Sequence, residues 1–151
     1  MRTSPFCIYR DMVLGQYSTA AWLRSAVMAM WNGQGHQVGL SQLTNLDIKH
    51  YDAFIAMVEH YRAFGENDQA FMALAEEIQL RMADEKAAEN RAAAMEDWQR
   101  QMLGHSTIGR QAARYAIDDF YSWLEGQFDA GMEPSDAMRA LESKVREREG
   151  A

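Results

Sequence analysis

Along most of the chain apolar residues return every three or four positions, the period of a helix buried on one side. From Ser18, placed as an N-cap, they fall at Ala20, Leu23, Val27, Met30 and Trp31, and the element stops at Asn32-Gly33. Gly33, Gly35 and Gly39 then mark an irregular stretch in which Val38, Leu40, Leu43 and Leu46 return to the core, with a short helical turn around Ser41 to Thr44. Asp47 caps the next helix, whose buried face is predicted as Ile48, Tyr51, Phe54, Ile55, Val58 and Tyr61, and Gly65 ends it. Asn67 or Asp68 begins another, with Phe71, Leu74, Ala75, Ile78 and Met82 as its stripe. After Gly104, Ser106 or Thr107 caps a helix carrying Ala113, Ile117, Phe120, Tyr121, Leu124 and Phe128 on one face, and Gly131 closes it. Pro134 fits the first turn of a last helix that buries Ala137, Met138, Leu141 and Val145 and pairs Glu142 with Arg146 toward solvent. Strict alternation never lasts beyond about five residues, so strands are not expected. The prediction is an all-α helical bundle of five to seven helices. Its core is Leu23, Val27, Trp31, Phe54, Ile55, Val58, Phe71, Leu74, Ile78, Phe120 and Leu124.

Residues 68–103 contain neither glycine nor proline. A single helix of those residues would run for about 54 Å, while a compact globule of this chain length is about 40 Å across. Such a helix bends near Asp84–Asn90, or joins two lobes, or has its end covered by a second subunit. The predicted organisation is an N-terminal helical part (1–82), a long-helix connection (83–103) and a C-terminal helical hairpin (104–151). Within the connection the stripe Ala88, Ala92, Met95, Trp98 or Gln99, and Met102 is too thin for the main core, which predicts a homodimer.

Composition narrows the class. Of 151 residues, 48% are hydrophobic and 25% charged, enough for a packed core and too apolar for disorder. No apolar run approaches the length of about 20 residues that a membrane span needs, and the start Met1 to Cys7 lacks the apolar stretch of a secretory signal. A cytoplasmic protein without membrane contact is expected. A single cysteine excludes an internal disulfide and any multi-thiolate metal site within one chain. The net charge of −7 is unevenly spread: residues 1–65 hold five bases and four acids, 66–103 four bases and nine acids, and 104–151 six and nine. That sign makes direct nucleic-acid binding an unlikely function, although Arg110 and Arg114 share a helical face.

At Tyr17-Ser18-Thr19, Leu23-Arg24-Ser25 through Trp31-Asn32-Gly33, and again at Gly65-Glu66-Asn67-Asp68 with Phe71 to Ala75, the chain resembles a family of uncharacterised small bacterial proteins. These are domains of unknown function encoded among the cargo genes of conjugative plasmids and integrative elements. The resemblance covers roughly residues 13–80 and implies an accessory role in a mobile element. It carries no active site.

The chemistry on offer is sparse. His36, His50, His60 and His105 lack the His-x3-His or Glu-x2-His spacing of a helical metal site, and no cofactor is predicted. Cys7, between Phe6 and Ile8, reads as a small core residue. Asp118-Asp119 and Glu76-Glu77 are adjacent acids that point about 100° apart on a helix, so neither makes a carboxylate pair. Gly33-Gln34-Gly35-His36 follows a helix and is a turn. Eleven methionines, of which Met28, Met57 and Met72 fall beside their stripes, leave two readings open: a broad buried face or an exposed adaptable patch.

Three function classes follow. The first is a non-enzymatic protein-binding protein that grips another protein or nucleoprotein complex. It uses Glu76, Glu77, Asp84, Glu85, Glu89, Glu96 and Asp97, with Met95, Trp98 and Met102 as the apolar centre. With the resemblance to mobile-element cargo, an inhibitor of a host defence complex, of the anti-CRISPR or anti-restriction type, is the expected form. The second is a small-ligand-binding protein or enzyme built on residues 32–51 with Trp31, His50 and Tyr51. The third is a transcriptional regulator, which the charge disfavours.

Overall fold

Ser4 opens the chain's first helical turn by accepting a hydrogen bond from the Phe6 amide at 3.2 Å. The computed structural model describes residues 3–150. Among them the secondary structure is all helical: α1 (Pro5–Ile8), α2 (Arg10–Val13), α3 (Ser18–Trp31), α4 (Ile48–Phe64), α5 (Gln69–Gly104), α6 (Arg110–Asp119), α7 (Tyr121–Asp129) and α8 (Pro134–Glu149). Short 3-10 turns occur at Leu40–Asn45 and Gly65–Asn67. The all-α prediction holds, with α1 and α2 as single turns of four residues each. The chain divides into two compact units, residues 1–85 and 86–151, which are described separately.

In the first unit α3 buries Leu23 and Val27 as predicted, together with Trp22, Ala26 and Met28. Ser18 is the first helical residue and Tyr17 takes the cap position without a side-chain bond, a shift of one residue from the sequence reading. Arg24 reaches back to the carbonyls of Val13 and Gly15, and Arg81 of α5 takes the carbonyl of Leu14 at 2.7 Å. Two guanidinium groups thus satisfy the acceptors left open where α2 ends. The predicted turn at Ser41 to Thr44 lies inside the 3-10 segment, and Val38, Leu43 and Leu46 pack on the core while Leu40 is exposed.

Asp47 caps α4 by accepting from the His50 amide at 2.9 Å, and Gly65, at φ 53°, ends it as expected. The buried face of α4 needs correction. Ile48 is 73% exposed and Tyr51 is exposed, whereas Ala53 and Met57 are fully buried and Phe54 and Tyr61 pack at the edge of the core. Ala53 leaves room for a neighbouring helix to come close, and the Trp22 and Phe54 rings meet edge to face at 5.0 Å. Met28 and Met57 therefore fill the core itself. Asp68 starts α5, accepting from the Ala70 amide at 3.0 Å, and Phe71, Leu74, Ala75 and Ile78 are buried as read from the stripe, while Met82 is exposed.

The second unit has a core of its own: Met95, Trp98 and Met102 from α5, Ala113, Ala116 and Ile117 from α6, Leu124 from α7, and Ala137, Met138 and Leu141 from α8. Residues 86–103 are therefore part of this unit and more than the connection assigned to 83–103. The helix expected from Ser106 starts only at Arg110, after Gly109 at φ 86°, and divides at Phe120 (φ −109°, ψ 21°) into α6 and α7. Glu142 is also corrected. At 4% exposure it lies inside and accepts from the Thr107 amide at 2.6 Å and from the hydroxyls of Thr107 and Ser106. Arg146 bonds the backbone carbonyl of Glu142 and leaves its carboxylate to the 106–107 turn.

Candidate functional site

Residues 82–94 of α5 are exposed at every position, with no side chain buried against either unit's core. Six of these thirteen residues are alanine, the strongest helix former, and this keeps the stretch helical without tertiary packing. Lys86 and Glu89 pair at 3.2 Å one turn apart, and Arg91 bonds Asp129 at 2.8 Å and Glu125 at 3.2 Å.

The predicted acidic residues flank and occupy this stretch, with unequal availability. Glu77 is held by Arg10 at 2.7 Å, Glu89 by Lys86, and Glu96 and Asp97 by Arg100 at 3.1 and 2.9 Å. Glu76, Asp84 and Glu85 make no ion pair among the described residues. All seven do not form one row: at about 100° per residue, Glu76 and Glu85 lie on opposite sides of α5 within the first unit, and within the second Glu89 and Glu96, seven apart, share a side from which Asp97 turns away.

The apolar centre assigned to this surface is not on it. Met95, Trp98 and Met102 are 4%, 8% and 0% exposed, and the Trp98 indole N–H donates to the Met132 carbonyl at 2.8 Å. Their i, i+3, i+7 spacing seats them in the second unit's core, and the argument for a homodimer drawn from them falls with their burial.

Two histidines have acquired partners. Asp68 accepts through one oxygen from the Ser4 hydroxyl at 2.6 Å, and His60 Nε2 lies 3.0 Å from that same oxygen, beside an open cavity of about 980 Å3 that Phe64 and Glu59 also line. Serine and histidine both address the carboxylate and not each other, so the cluster lacks a nucleophile bonded to its base. At the start of α4, Asp47 accepts from His50 Nδ1 at 2.8 Å, and His50 Nε2 lies 3.0 Å from the Tyr17 hydroxyl. The His50 amide first, then its ring, holds the Asp47 carboxyl below the ordinary carboxylate range. The Asp47–His50 contact is local, three residues apart at a cap legible in the sequence, whereas Ser4, His60 and Asp68 come together from separate elements that no local pattern links.

Around residues 32–51 the side chains point to small structural tasks. The Trp22 indole donates to the Gly39 carbonyl and Asn32 accepts from the amides of Gln34 and Gly35. The cavity there, lined by Trp22, Gln42 and Leu46 among others, is about 150 Å3, below the size of a metabolite site. Cys7 is exposed, against the core position expected of it; the buried member of its turn is Phe6. Among the described residues no three His, Cys, Asp or Glu side chains converge as metal ligands, and no helix is long and apolar enough to cross a membrane. Comparison with profiles of known protein families, with curated proteins and with solved structures finds no match.

Proposed function

We propose that the chain is a non-enzymatic protein-binding protein that engages a basic surface of another protein or nucleoprotein complex through the acidic part of α5. The observation that carries this reading is the stretch 82–94, helical with every position exposed, in which Asp84 and Glu85 make no ion pair among the described residues. A partner meets backbone that is helical before binding, carrying Asp84, Glu85 and Glu89 against Lys86 and Arg91, and this prior order lowers the entropy cost of the encounter. The surrounding balance of four bases against nine acids in residues 66–103 steers a basic groove toward it over about one Debye length. The resemblance to mobile-element cargo supplies the target class, a host defence complex whose nucleic-acid channel is basic. A pull-down from the native host, with the captured complex then purified, gives the partner for kinetics. Association should slow as salt is raised, and Glu85→Lys, Glu89→Lys and Glu96→Lys together should slow it by about tenfold or more while leaving the fold unchanged. A folded triple variant that associates at the unaltered rate would refute the acidic surface.

A further inference from the structure

Within residues 1–85 the end of α3 and the first turns of α5 line an open cavity of about 470 Å3, inside the size range of ligand sites. Trp31, Met72 and Ala73 give it apolar surface, and Glu66 and Glu76 are its charged residues. Neither carboxylate has an ion-pair partner among the described residues, and no lysine or arginine lines the cavity. Trp22 and Trp98 spend their indole N–H groups on the carbonyls of Gly39 and Met132, and the half-buried Trp31 and Trp123 have no such bond among the described residues; Trp123 has Lys144 Nζ 4.9 Å from its ring centre, whereas no lysine or arginine of the described residues lies over Trp31. An indole and two exposed carboxylates without ion-pair partners thus line one open cavity that no lysine or arginine of the described residues lines.

We propose that this cavity receives a cationic side chain, an arginine, presented by the protein partner. The inference rests on the reading of a basic partner and deepens it by naming the group that is gripped. A guanidinium stacks flat on an indole and offers paired donors to carboxylates, two contacts that an ammonium makes less well. A large aromatic residue beside a charged rim is also the usual anchor of a protein interface, a role for which the stretch 82–94, whose exposed apolar residues are six alanines and Met82, has no aromatic side chain.

The test uses the full chain with 15N-labelled tryptophan, in which Trp31→Phe identifies the Trp31 indole signal among four. The probe is a blocked tetra-arginine peptide, with spermidine as the free-cation control. A saturable movement of the Trp31 indole is expected, with the apparent Kd raised at least about fivefold by Glu66→Gln with Glu76→Gln and by less than about twofold by Glu85→Gln, Glu89→Gln and Glu96→Gln. Both acids of the first pair are exposed, so the variant keeps its fold, which the unchanged remainder of the spectrum checks. An unmoved Trp31 indole with binding lost only in the second variant overturns the cavity and leaves the acidic-surface reading standing. No peptide-dependent change anywhere overturns both. Spermidine that moves the indole as far as the peptide at equal charge overturns the assignment to a partner's arginine.

Discussion

The Glu142 carboxylate carries an unusual load for one residue, since it holds the turn before α6 through three donors from Ser106 and Thr107. Burial alone would raise its pKa, but the hydroxyl and amide of Thr107, with the Ile108 amide and Ser106, outweigh that and keep it below the ordinary carboxylate range. A carboxyl depressed in the folded state stabilises above its unfolded pKa, and the contribution fades as pH falls through the folded value. Glu142→Gln should therefore cost about 1–3 kcal/mol near neutrality, and the gap to the parent in urea unfolding should close as the solution is acidified below the carboxylate range. An equal gap at both pH values would refute the assignment. Glu142 and Arg146 looked like a solvent-side pair because a helical wheel shows only one element. The acceptor that Thr107 needs lies 35 residues away, a distance that no local pattern reports.

Helices α4 and α5 show what periodicity resolves and what it leaves open. The stripe of α5 from Phe71 to Ile78 was legible because Phe71, Leu74, Ala75 and Ile78 return at helical spacing while Glu76 and Glu77 fall on the other side. On α4 the large residues Ile48, Tyr51 and Ile55 lie on one side and Ala53 and Met57 on another, and size alone favoured the wrong one. Close approach of a neighbouring helix selects the smaller residue. The division at Phe120 was invisible for a different reason: α6 and α7 each continue the helical period across it. The bare part of α5 makes a prediction of its own. With no burial to protect them, the amides of residues 84–92 should exchange with deuterium faster than those of 71–78, and Ala88→Gly should quicken them further at a cost of about 1 kcal/mol in helix propensity. Equal protection along the whole of α5 would show that something covers the stretch.

At the scale of the molecule, the helix content and the charge asymmetry were readable, but the boundary between the two compact units was not. It falls inside α5, where no glycine or proline marks it, and is set instead by which core claims Met95, Trp98 and Met102. The candidate site divides in the same way. The charge excess of its acids was legible because charge is a property of composition, whereas the burial of Met95, Trp98 and Met102 was not, because it depends on partners from α6 to α8. Because residues 86–151 own a closed core, that segment expressed alone should give dispersed methyl and indole resonances and a cooperative, if weak, unfolding transition. A molten spectrum would mean that it depends on the first 85 residues.

The absence of glycine and proline from residues 82–94 also bears on how the chain is degraded. A protease binds its substrate as an extended strand, so an exposed but intact helix is a poor substrate despite its accessibility. Trypsin should therefore spare Lys86 until the local helix melts, and cleavage there would leave two fragments, each retaining one of the two cores. A partner that clamps the stretch as a helix would then lengthen the life of the chain, and one that unwinds it would shorten it.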